Sequence, residues 1–311
     1  MSDPQHAARR VWSWLHPGSL LERGRTLADS QRGRAIRRNS HLRLGGGLVC
    51  LLAIVSVVGP VITPYDPTAQ ALEARLQGPS AAHPLGTDAL GRDVATRLVY
   101  GARISLGLAL VATTVRLVIG TTIGLVAGYA GGVVDAIAMR VVDIQLAFPG
   151  LVLALVIAGV LGPSLTNVMI ALSVVGWATY ARVVRGSVLS VKDRAYVESA
   201  RLYGTPRRRI ARRHLLPTIL NPVLVLATLN LGTVVLAAAG LSFLGLGAQP
   251  PTAEWGTMIA DGRSYLRSAP WLITVPGVAI AVTVIAFNLL GDGLRDVLDP
   301  DHLDDRERRR T

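Results

Sequence analysis

Residues 196–217 read YVESARLYGTPRRRIARRHLLP, a polar, arginine-dense stretch between two apolar segments. Its residue types suit mechanical docking rather than bond-breaking. Glu198 is one negative charge in a field of positive ones. Ser199 and Ala200 are small enough to let another protein's surface come close. Gly204 has no Cβ, so it permits a sharp turn between two short helices, expected at 195–203 and 206–216. Leu215 and Pro217 mark the start of the next apolar segment. Helices this short are not stable alone, so the unit must be held against something larger. Arg207, Arg208, Arg209, Arg212 and Arg213 read as anchors on lipid headgroups, with a protein contact for one or two of them.

A second candidate is Arg116, which lies near the middle of an apolar segment. An arginine there costs about 2.5–3.5 kcal/mol on insertion scales, so it should face a bundle interior or a wet pathway. Asp143 is the obvious partner. The offset in depth between the two is about 12 Å at 1.5 Å per residue, which argues against a direct pair. Two roles stay open: a structural partner, or a pathway residue that meets a substrate carboxylate. Asn230 and Asn288 are lesser polar candidates for the same pathway.

Little else suggests chemistry. The chain has no G-x-x-x-x-G-K-[ST] phosphate loop. Its six histidines (6, 16, 41, 83, 214, 302) are scattered, without the spacing of a metal pair on one helix. The single cysteine, Cys50, lies in an apolar run, which excludes an internal disulfide and a cysteine-built metal site. The chain is expected to be no enzyme and to bind no cofactor or metal.

The elements that must position these residues are membrane spans. Half of the 311 residues are hydrophobic, only 17% are charged, and the mean hydropathy is +0.43. A bilayer core of about 30 Å needs about 20 apolar residues in a helix. Six segments qualify: 44–63, 104–128, 141–162, 165–181, 219–247 and 271–291. The fourth is short, and Arg182 and Arg185 can lengthen it by snorkelling. Pro149 and Pro276 are expected to kink the third and sixth. With the amino terminus inside, 25 of the 32 Lys and Arg residues fall on the inner side and 6 on the outer, and Arg116 is within a span. That bias puts both termini and the 196–217 loop in the cytoplasm. A net charge of +12 invites a nucleic-acid reading, but the arginines are sorted by side of the membrane rather than gathered on a soluble face.

The expected organisation is a basic cytoplasmic tail (1–43), a first transmembrane helix with an external loop (44–103), a five-helix core (104–300) and a charged cytoplasmic tail (301–311). The first tail, with Trp12, Trp14 and its arginines, is either an amphipathic piece on the inner leaflet or unstructured. No internal repeat is evident. A secondary transporter tends to show repeated halves and several buried carboxylates, and this chain shows neither. A membrane-embedded enzyme would need a catalytic cluster.

The 196–217 stretch resembles the cytoplasmic EAA loop of inner-membrane permease subunits from binding-protein-dependent ABC importers. That loop runs E-A-A, three residues, G and, further on, a hydrophobic pair and P. Here it is Glu198-Ser199-Ala200, Gly204 and Leu215-Leu216-Pro217, with Ser199 as the one departure in the triplet. HPLGTDALGRDVATRLVYGARISLGLAL (83–110), GLGAQPPTAEWGTMIADGR (245–263) and FNLLGDGLRDVLDP (287–300) are similar to segments of the dipeptide/oligopeptide subfamily, specifically its second permease subunit. In the first of these Asp88, Arg92 and Asp93 can pair. Their role is either loop packing or contact with a docked binding protein. Trp255 suits the membrane interface.

The resemblance implies the all-α, six-helix type I importer permease fold. It implies a homologous second permease subunit, two ATPase subunits carrying ATP and Mg, and an extracytoplasmic binding protein. Glu198, Ser199, Ala200, Gly204, Leu215 and Pro217 would couple to the ATPases. The substrate would be a peptide, or a nickel chelate or other small solute.

Overall fold

The computed structural model describes residues 39–298. The expectations for the amino-terminal tail to residue 38 and for the carboxyl end from residue 299 lie outside these residues. The helices are α1 (Ser40–Ile62), α2 (Val94–Ala130), α3 (Gly132–Leu146), α4 (Gly150–Leu161), α5 (Leu165–Val191), α6 (Ala195–Leu202), α7 (Arg207–Ile210), α8 (Leu216–Phe243), α9 (Trp255–Gly262) and α10 (Trp271–Leu298). A π-helical turn, Ala211–Leu215, joins α7 to α8. Among the described residues five helices are long and apolar enough to cross a membrane, counting Arg207–Phe243 as one, and α3 with α4 forms a pair bent by 85°.

Local chemistry sets the helix ends. The Asn39 side chain accepts from Leu42 N at 3.0 Å, capping α1, and donates to Asp296 of α10 at 2.9 Å. Asp93 caps α2 by accepting from Thr96 N at 2.7 Å. This moves the start of the second span ten residues ahead of the expected 104. Arg97 and Arg103 lower the hydropathy of 94–103 without stopping the helix. The third span, expected at 141–162 with a kink at Pro149, is two helices that meet at that proline. Its first helix already begins at Gly132, in what hydropathy marked as a loop. Pro149 lacks an N–H and disfavours helical geometry at Phe148, so the expected bend falls there and is sharp enough to break the helix. At Pro276, by contrast, α10 runs on unbroken to Leu298. The fourth span extends to Val191, ten residues past its expected end.

Close approach of α2 to α5 holds the centre. Gly120, Gly124 and Gly128 face Tyr180, Ala181, Val184 and Val188, and a Cβ on Gly128 would stand 2.9 Å from that of Val188. Small residues at four-residue spacing let two backbones meet where lipid gives no hydrophobic drive. Ion pairs tie α3 to α5: Arg185 grips Asp135 with Nε–Oδ1 at 2.5 Å and Nη2–Oδ2 at 2.6 Å, and Arg182 pairs with Asp143 at 2.5 Å. The expected snorkelling arginines thus spend their charge on carboxylates. One apolar core gathers Leu108, Leu172, Val234, Trp255 and Ile280. A second, at the other end of α5, gathers Tyr180, Val184, Val188, Val197, Ile210, Leu215, Ile219 and Val223.

Candidate coupling site and the charged groups of the bundle

The 196–217 stretch is an elbow anchored from beneath. Val197, Ile210 and Leu215 are each 1% exposed or less and sit in the second core. Each such burial contributes about 1.5–3 kcal/mol, which is what a helix as short as α6 lacks by itself. Glu198 lies in the first turn of α6, where the helix dipole favours an anion. The turn out of α6 is a Schellman motif: Gly204 N donates to Arg201 O at 2.9 Å and Thr205 N to Ala200 O at 3.0 Å. Gly204 has φ +71°, a left-handed conformation that penalises any residue with a Cβ. The second short helix is not free-standing, because α7 and the π turn feed directly into α8.

The outer side of the elbow is open. Glu198, Ser199, Gly204 and Pro217 are exposed and Ala200 is half-buried, whereas Leu215 belongs to the anchor. Glu198 forms no ion pair among the described residues. Motif reading passed over Leu202 and Tyr203, which are 83% and 89% exposed. The signal was available: two large apolar residues beside a turn glycine in an otherwise polar stretch. A rigid base and a left-handed turn thus hold Glu198, Leu202 and Tyr203 on a face open to solvent.

The polar candidates inside the bundle fall into two places. Arg116 Nε donates to the Leu172 carbonyl at 2.6 Å, and its guanidinium fills the space over Gly176. Asp143 is engaged with Arg182 instead, as the depth offset required. Asn230 donates to the Tyr180 hydroxyl at 3.2 Å. Asn288 is exposed on α10, and no hydrogen bond joins it to Arg116 or Asn230.

At the end of the bundle opposite the elbow, the 83–105 and 245–263 segments interlock. Asp88 accepts from Leu90 N, Arg92 N and Arg92 Nε at 2.8, 2.9 and 2.6 Å, and lies 3.6 Å from Arg97 Nε. Arg97 also donates to the carbonyls of Pro67 and Pro251. His83 contacts Asp93 at 3.0 Å. Glu254 is 1% exposed, and its carboxylate accepts from Ser105 Oγ, Gly256 N and Thr257 N, each at 3.0 Å. Trp255 is no interface ring. It is 1% exposed and donates from Nε1 to the Leu98 carbonyl at 3.0 Å, because Gly101 leaves room for its ring. Asp261, at the edge of this cluster with its side chain 48% exposed, has its carboxyl pushed above the usual range by partial desolvation.

Residues 120–302 match the model of the binding-protein-dependent transport system inner membrane component. Residues 31–79 match the N-terminal transmembrane domain of oligopeptide transport permease C. The chain is 43% identical over 267 residues to the dipeptide transport system permease protein DppC of Alkalihalophilus pseudofirmus, covering 86% of this chain and 88% of that one. It is 46% identical over 259 residues to the nickel transport system permease protein NikC of Escherichia coli K12, covering 83% and 94%. In fold it is similar to the MetNI methionine ABC transporter in an inward-facing form, with a TM-score of 0.53 and 22% identity over 64% of this chain and 95% of that one. Counted as one span, the bent α3–α4 pair brings the candidate spans among the described residues from five to six. The chain belongs to the binding-protein-dependent transport system inner membrane component family, as a multi-pass permease of the bacterial inner membrane.

Proposed function

We propose that this permease forms half of the translocation pathway of an ATP-driven importer of di- and oligopeptides. A homologous permease supplies the other half, two ATPase subunits carry ATP and Mg, and an extracytoplasmic protein delivers the substrate. The observation that carries this reading is the elbow: Val197, Ile210 and Leu215 root it in the core while Glu198, Leu202 and Tyr203 face outward. A surface fixed to the spans and unsatisfied on its far side transmits force from a partner. When the ATPases close on nucleotide, the docked elbow moves as a rigid body with α5 and α8, and the pathway changes its open side. Glu198 pairs with a basic residue of the ATPase, Ser199 and Ala200 allow close approach, Gly204 sets the turn, and Leu215 and Pro217 pass the motion to α8. Both termini and the elbow are cytoplasmic, as the Lys and Arg bias favours. This chain supplies neither a nucleotide site nor a catalytic group.

Peptides are favoured as substrate by the dipeptide permease relative. The nickel permease relative, at 46% identity, favours a metal-chelate importer as the second reading. The test is reconstitution of the chain with its co-purifying subunits in proteoliposomes. Labelled dipeptide should accumulate only with Mg-ATP and the binding protein. Nickel-chelate uptake without dipeptide uptake would select the second reading, and uptake driven by an ion gradient without ATP would overturn both.

A further inference from the structure

An open cleft of about 750 Å³ lies between the end of α2 and the inner side of the elbow. Lys192, Arg201 and Arg207 line it against a single carboxylate, Asp193. That carboxylate offsets little. It stands 3.9 Å from Arg201 with its side chain 72% exposed, where solvent and salt screen the pair. Lys192 Nζ donates to the Gly128 carbonyl at 3.5 Å and feels the Asp135 carboxylate only beyond ion-pair distance, and Arg207 has no ion-pair partner among the described residues. The guanidinium of Arg201 lies over the Tyr129 ring at 5.6 Å, a cation–π contact that holds it in place. Three cations from the end of α5, from α6 and from the start of α7 therefore converge with most of their donors unspent. The wall from α2 is different: Val126 and Tyr129 carry an apolar surface at the end of a membrane span.

We propose that this cleft binds a phosphate-bearing anion, the headgroup of an anionic phospholipid from the adjoining leaflet, which bridges α2 to the elbow. Arginine and lysine donate to phosphate oxygens through charge-assisted hydrogen bonds. A free phosphate satisfies the cations alone. A lipid satisfies the apolar wall as well, with its glycerol and first methylenes against Val126. Cationic pockets beside spans recognise headgroups in this way.

The test is native mass spectrometry of the full-length chain with its co-purifying subunits, titrated with phosphatidylglycerol or phosphatidylcholine. Phosphatidylglycerol should be retained in preference. Arg201→Gln and Arg207→Gln should each weaken that retention by about tenfold, the loss of one charge-assisted contact. Arg267→Gln, an exposed arginine at the opposite end of the bundle and outside the cleft, should leave it unchanged. Tryptophan-fluorescence melting confirms that each variant is folded. A parallel arm adds inorganic phosphate. If phosphate displaces the lipid with the same dependence on Arg201 and Arg207, the anion site stands and its occupant is soluble. Equal retention in wild type, R201Q and R207Q, or an equal loss in R267Q, overturns the proposal.

Discussion

The two ends of this bundle use the same residue types in opposite ways. At one end Asp88, Arg92, Asp93, Arg97 and Glu254 are all buried, and each spends its hydrogen bonds on neighbours within the chain. At the other end Glu198 and the arginines at 207–209, 212 and 213 are nearly all exposed and without ion-pair partners among the described residues. A buried charge must be satisfied where it sits, since an uncompensated one costs several kcal/mol. An exposed charge keeps water as its partner and remains available to another protein. Burial, rather than residue type, separates a charged cluster that holds the fold from one left open to a partner.

The largest effect should come from breaking the inward-paired end. Asp88→Ala leaves Arg92 and Arg97 buried without their carboxylate and should cost about 3–5 kcal/mol, seen as a large fall in melting temperature and in yield of inserted protein. A variant that inserts and melts like wild type would remove the distinction between the ends. Gly204→Ala should cost about 1–2 kcal/mol, because its φ of +71° is left-handed and no neighbour lies within 4 Å of the added methyl. That loss should weaken association with the ATPases before it affects insertion. Glu198→Arg should shift chain stability by less than about 0.5 kcal/mol and still abolish uptake and co-purification of the ATPases. A stability loss as large as that of Asp88→Ala would mean that Glu198 serves the fold.

The smallest effect concerns pH. Partial desolvation raises the Asp261 carboxyl above its ordinary 3.8, against the pull of Arg97 and Arg92. The folded chain therefore holds that proton more tightly than the unfolded chain. Its contribution is favourable below pH 3.8 and is lost as pH rises through the raised value. Asp261→Asn should flatten the melting temperature over that interval, and an unchanged slope would assign the dependence elsewhere.

Much of this was legible in the sequence. Long apolar runs located the spans, since a bilayer demands length, and Gly204 marked its turn because few residues besides glycine take that φ cheaply. The misreadings have a common cause. Hydropathy counts a charge as a cost and cannot know that a partner far along the chain has removed it. So Arg97 appeared to delay α2, and Arg182 and Arg185 appeared to snorkel when Asp143 and Asp135 awaited them. Trp255 appeared interfacial because nothing local reveals that Gly101 makes room for its ring. The break between α3 and α4 was marked by Pro149, but its 85° angle depends on tertiary packing. Leu202 and Tyr203 were visible as residues and became informative only through their exposure on an anchored base.

The central claim, that the elbow is a cytoplasmic docking surface for an ATPase, is tested most directly by a single cysteine at Tyr203 with Cys50 replaced by serine. A membrane-impermeant thiol reagent should label it in inside-out vesicles stripped of ATPase subunits, and much less once those subunits are restored. Labelling of intact right-side-out vesicles, or labelling indifferent to the ATPases, would contradict the account.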